Sequence, residues 1–132
     1  MLLLLIFRFT TEHSPTFTQL SHFLYDHPHQ LPSAITHFAA HLHRVLTTLN
    51  SALASSPTGY LVRHSPGPTY ADFVFWAWHW VLESGGLSTT SRDGQHCWER
   101  YPLVGQWQAR MAKRDSVKRV VDEWERVKLE YV

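Results

Sequence analysis

Apolar residues recur at helical spacing along most of this 132-residue chain, and clusters of turn-forming residues cut the pattern into pieces. The clearest piece begins at Pro32, a residue suited to a first helical turn because its missing N–H is not needed there. Ile35, Phe38, Ala39, Leu42, Val45, Leu46, Leu49 and Leu53 follow at steps of three and four, one continuous apolar face. Ser55-Ser56-Pro57-Thr58-Gly59 ends it. Upstream, the pattern predicts a helix from Leu2 to Phe9 that fades over Thr10–Pro15. A second, aromatic helix is predicted from Phe17 to Tyr25, ending before Asp26-His27-Pro28-His29.

Ser65-Pro66-Gly67-Pro68 breaks the chain again, and Thr69-Tyr70-Ala71-Asp72 opens another helix. Thr69 and Asp72 stand in capping-box register: the Thr hydroxyl accepts from the Asp72 N–H, and the carboxylate accepts from the Thr69 N–H. The negative charge also suits a helix N-terminus. The following run, Phe73 to Glu83, is apolar nearly all round, as expected for a central, buried helix. Ser84-Gly85-Gly86 closes it, and 87–97 read as a polar loop. From Pro102 a helix turns Val104, Trp107 and Met111 inward. A last helix sets Val117, Val120, Val121, Trp124 and Val127 on one side, with Lys and Glu on the other. No segment alternates with period two over a useful length, so the pattern predicts an all-α bundle of about five or six helices around Thr69–Glu83.

Composition supports a single packed domain. Hydrophobic residues make up 44% of the chain, and six Trp, five Tyr and seven Phe supply large core pieces. The net charge of +1 gives no electrostatic case for nucleic acid or an anionic membrane. Charge is unevenly placed: residues 1–62 hold only Arg8, Glu12, Asp26 and Arg44. That half reads as core plus a surface meant to be covered. The opening MLLLLIFRF has no basic leader and no small-residue cleavage site, so it does not read as a signal peptide, and no run reaches the length of a membrane span. Cys97 is the one cysteine, which excludes an internal disulfide and fits a reducing compartment.

Tyr60-Leu61-Val62 and then Pro68-Thr69-Tyr70-Ala71-Asp72-Phe73 resemble the segment that opens the buried central helix of glutathione S-transferase C-terminal domains. Pro15 to Phe23, then His27-Pro28 to Pro32-Ser33-Ala34-Ile35, are similar to the fungal nitrogen-regulator-like and nu-class-like group of that family. So are His43-Arg44-Val45-Leu46 to Leu49, Trp78 after the capping box, and Tyr101-Pro102 through Trp107, Arg110 and Met111 to Ser116–Val120. The likeness covers nearly all of 1–132, and is best over 32–132; 1–31 hold the aromatic helices and loop. Met1 falls inside the family's first long helix of this domain. Glu12, Ser14 and Thr18 stand where the group usually has Gly, and His41 stands where an acidic residue usually precedes Arg44.

The resemblance implies the right-handed all-α bundle of the glutathione S-transferase C-terminal domain. It implies a hydrophobic-substrate wall and a dimer interface within a cytoplasmic, glutathione-conjugating enzyme. The thioredoxin-like domain that binds glutathione in the family is not in this stretch. The chain alone is therefore expected to be inactive, with no catalytic residue and no cofactor of its own. Glutathione enters as co-substrate only if a thioredoxin-like domain is supplied. The resemblance puts Phe17, His22, Tyr25 and Trp78 at the hydrophobic cleft; as plain sequence features they read equally as core or interface aromatics. Alternatives are a non-enzymatic interaction module that pairs with a second copy or a thioredoxin-like chain, and a fragment of an incomplete gene product. Thr69 and Asp72 read as structural. His37 and His41, with His43 nearby, read as a solvated helix face rather than a metal site, and no metal is expected. His96–Cys97 is a sequence neighbourhood without catalytic geometry. Arg110, Lys113, Arg114, Lys118 and Arg119 alternate with acidic residues and read as solvated surface, not a nucleic-acid site.

Overall fold

The computed structural model describes residues 2–83 and 98–130, and in that range the chain is all helix and connecting turn, with no strand. The elements are α1 (Leu2–Arg8), α2 (Ser14–Ser21), α3 (Pro32–Ala54), α4 (Tyr70–Glu83), α5 (Pro102–Ala112) and α6 (Asp115–Glu130), with a single helical turn at 98–100. The expected loop at 87–97, with His96 and Cys97, lies outside the described residues.

The expected break at Thr10–Pro15 is absent. A π-helical stretch, Phe9–His13, joins α1 to α2, and a second, His22–Asp26, extends α2. The result is one helical rod from Leu2 to Asp26. Pro15 is tolerated because the backbone has already widened before it: the Ser14 N–H reaches Phe9 O, five residues back. Hydroxyls occupy carbonyls along the same stretch, with Thr10 and Thr11 Oγ1 each 2.9 Å from Phe7 O. Such side-chain competition with the backbone ladder is what Thr offers in a helix.

α3 follows the sequence pattern closely. Leu42, Leu46, Leu49 and Leu53 are buried, and Ile35 and Phe38 pack at the margin. Gly59, in the turn that follows, holds φ +74°, and Arg110 Nη1 on α5 donates to its carbonyl at 2.6 Å. The Arg110 guanidinium also lies 5.6 Å from the Tyr60 ring centre. Arg110 therefore departs from the solvated set to which the sequence assigned it. Asn50 Oδ1 on α3 accepts from the N–H groups of Leu103 and Val104 at 3.1 and 3.4 Å. It caps α5 from a distance, satisfying donors that the N-cap residue Tyr101 leaves open.

α4 runs between the first rod and α5. Phe75, Trp76 and His79 face the core, and Val104, Trp107 and Met111 of α5 are buried against it as the sequence predicts. Burial of α4 is one-sided, however: Tyr70, Phe73 and Ala77 form an exposed stripe. An all-round apolar helix is thus wrapped on its core side only. α6 packs through Val117, and Trp124 meets Trp80 edge-on at 6.2 Å. Of the residues the sequence set on one side, Val117 is buried and Val121 packs at the margin of the core, while Val120 and Trp124 are largely exposed.

Candidate cleft and the buried polar core beneath it

Asp72 is fully buried in the first turn of α4. Its carboxylate accepts from the N–H of Leu61 at 3.0 Å, the N–H of Thr69 at 2.8 Å, the Thr69 hydroxyl at 3.2 Å and Trp107 Nε1 at 2.9 Å. Half of the capping box is as expected. The other half is changed: the Thr69 hydroxyl donates to the carboxylate, and the Asp72 N–H bonds to the Thr69 backbone carbonyl at 3.0 Å. The hydroxyl points its O–H at the carboxylate, because a buried carboxylate gains more from a donor than the backbone N–H gains from an oxygen. This network holds the start of α4, the preceding turn and α5 at one point.

The second half of the rod packs on α3, and between it and Trp78 of α4 lies an open cleft of about 420 Å³. Thr18, Gln19, Ser21, His22 and Asp26 line one side and Trp78 the other. Of the residues expected at a substrate cleft, His22 and Trp78 therefore meet. Phe17 lies beneath, fully buried, with its ring 5.4 Å from that of Trp78. Tyr25 is exposed, one turn beyond His22, and is not part of the lining. The polar lining residues Thr18, Gln19, Ser21 and Asp26 were not anticipated. Their spacing along one helical rod was the available signal, hidden by reading only the aromatic positions.

Under Phe17 the core holds two histidines. His13 and His79 are buried with ring centres 5.0 Å apart, enclosed by Phe9, Phe17, Phe75 and Trp107. Among the described residues, neither ring nitrogen of either histidine has a hydrogen-bond partner. Burial pushes His79 down to about 3. Burial, and secondly the neighbouring His79, hold His13 well below the ordinary histidine range. Both are neutral imidazoles at physiological pH, acting as aromatic packing rather than as acids or bases. The sequence offered a hint: His13 stands four residues before Phe17, and His79 four after Phe75, each on the core face.

Comparison with known proteins fits this architecture. The family model for the glutathione S-transferase C-terminal domain matches residues 15–123. Glutathione transferase URE2P6 from Phanerochaete chrysosporium, solved with oxidized glutathione, superposes with a TM-score of 0.79 at 26% identity, over 95% of this chain and 53% of that one. URE2P8 of the same fungus gives 0.79 and 26%, over 96% and 52%. Ure2p in complex with glutathione gives 0.69 and 25%, over 87% and 51%. The chain spans about half the length of these solved relatives. No curated protein sequence matches it.

Proposed function

The chain belongs to the glutathione S-transferase family through that family's C-terminal domain, and from this premise we propose that it forms the wall receiving the electrophilic co-substrate of glutathione. The observation that carries this reading is the cleft of about 420 Å³ with Trp78 facing His22. Its size suits a small molecule, and Trp78 offers a flat apolar surface while the opposite side supplies hydrogen-bonding groups. In the two-domain arrangement of the relatives, the thioredoxin-like half would hold glutathione and lower its thiol pKa. The thiolate would form a carbon–sulfur bond to the electrophile while the leaving group departs with its electron pair. The reading carries a cytoplasmic location, in keeping with one cysteine in the chain.

Calorimetric titration with an unreactive aromatic analogue of an electrophile tests the wall. Trp78→Phe and His22→Ala are expected to weaken binding several-fold, and unchanged binding in both variants removes the cleft from the reading. The 132-residue polypeptide alone is expected to be silent. Conjugation of a standard electrophile above the rate with glutathione alone overturns that expectation.

A second role, pairing, rests on α1. Leu3, Leu4 and Phe7 are 82%, 61% and 63% exposed along one short helix. Contiguous exposed apolar surface marks interaction sites. It fits a second copy of this chain or a thioredoxin-like polypeptide. Light scattering reads the outcome: a soluble monomer at high concentration counts against self-pairing.

A further inference from the structure

α3 carries His37 and His41 one turn apart, their rings 6.2 Å between centres and 12° from parallel. As sequence they read as a solvated face. The fold adds a constraint on His41. Thr16, buried on α2, sets its hydroxyl 2.6 Å from Glu12 O and 2.8 Å from His41 Nδ1. A carbonyl oxygen has no proton, so the single hydroxyl proton of Thr16 must go to Glu12 O. Thr16 Oγ1 can then only accept from the histidine. Nδ1 of His41 therefore carries a proton, and in the neutral ring Nε2 keeps its lone pair.

We propose that His37 and His41 chelate one divalent transition ion of the zinc, nickel or copper class, with His41 oriented as a ligand by Thr16. Residues four apart on a helix share a face, and imidazole is a favoured ligand of these ions. A ligating histidine characteristically donates its other ring N–H to a fixed acceptor, which holds the tautomer and the ring orientation. Thr16, relayed to the Glu12 carbonyl, is such an acceptor. With metal–nitrogen bonds of about 2.1 Å, each ring centre lies roughly 3.2 Å from the ion, so two rings at a tetrahedral angle stand about 5.2 Å apart. The rings as placed are 6.2 Å apart and near parallel, so the exposed His37 has to turn toward His41 by about 1 Å to close on one ion. Arg44 stands three residues after His41 on the same helix and is the one cation of α3.

Among the described residues no group of three or more His, Cys, Asp or Glu is placed to hold a metal. The remaining coordination positions fall to water, which makes the site open and the ion exchangeable. The rival pair His22 and His27 has ring centres 5.6 Å apart. Nδ1 of His27 likewise has a fixed neighbour, 2.7 Å from His29 O, so this pair is the competing outcome of the titration.

The test is a zinc titration of the whole ¹⁵N-labelled chain, followed through imidazole nitrogen resonances. Without metal, His41 is expected as the Nδ1–H tautomer. Zinc is expected to move His37 and His41 together, saturating at one ion per chain. His37→Ala, an exposed change that spares the fold, lowers affinity about tenfold or more, and Thr16→Val lowers it about tenfold by releasing the tautomer. Three results overturn the proposal: an Nε2–H tautomer at His41, unchanged affinity in His37→Ala, or shifts confined to His22 and His27. If Thr16→Val does not fold, the wild-type tautomer and His37→Ala decide alone.

Discussion

Trp107 donates its indole N–H to the buried carboxylate of Asp72 at 2.9 Å, joining α5 to the first turn of α4. The bond is one of four to that carboxylate. Asp72→Ala leaves the N–H groups of Leu61, Thr69 and Trp107 without their acceptor. The expected loss is about 3 kcal/mol or more in urea unfolding, since each stranded buried donor carries a desolvation cost. Trp107→Phe removes one donor and leaves the others, so its hydrogen-bond component is smaller, about 1–2 kcal/mol. A loss for Asp72→Ala no larger than that of an exposed substitution contradicts the network.

The His13–His79 pair makes stability depend on pH with a definite sign. Both folded pKa values are depressed, His79 to about 3. The unfolded chain titrates near its ordinary value of about 6.5. The neutral pair is therefore fully compatible with folding above about pH 6.5, and stability falls as the pH drops below it, because only the unfolded state takes up those protons. His79 contributes a slope of about 1.4 kcal/mol per pH unit between its folded and unfolded values, and His13 acts in the same direction. His79→Phe is expected to flatten the curve between pH values of about 4 and 6 by roughly that slope. Equal slopes in wild type and variant refute the assignment.

Asn50 tests the remote cap. Asn50→Ala leaves the Leu103 and Val104 N–H groups unbonded at the start of α5. The expected cost is about 1 kcal/mol. Amide hydrogen exchange should accelerate first at the start of α5, and unchanged exchange there argues that another group serves as the cap.

Gly59→Ala meets two obstacles at once. The backbone holds φ +74°, and a Cβ built there lies 2.6 Å from Arg110 Nη1. A loss of about 1–2 kcal/mol is expected from the left-handed conformation and the displaced guanidinium. In Arg110→Ala the same glycine substitution should cost less. Additive effects in the double variant show that the two residues are not coupled.

The helices with a plain 3.6-residue stripe were legible in the sequence. α3 and α5 have the predicted starts and the predicted buried residues, because Leu42, Leu46, Val104 and Trp107 have no use for water on any route the chain takes. The capping register at Thr69–Asp72 was legible too, but not that Trp107 completes it, since the partner is 35 residues away. The rod through Pro15 was misread because a proline among threonines signals a break in an α-helix, and the widened turn that accommodates it leaves no separate mark in the residue pattern. His22 and Trp78 were singled out in advance and do border one cleft. Tyr25, placed at the cleft by the same resemblance, is exposed and outside that lining.

The widened turns have a bearing on how the chain can change length. A π-helical turn holds one residue more than the α-helical turn it replaces. Removing one residue between Phe9 and His13 should let the segment tighten into ordinary α-helix, with Leu5 and Phe17 still facing the same neighbours. Removing one from the middle of α3 has no such slack to draw on. It would rotate everything beyond it by roughly 100°, carrying Leu46, Leu49 and Leu53 out of the core. The first rod is the place where this fold can absorb a single-codon deletion.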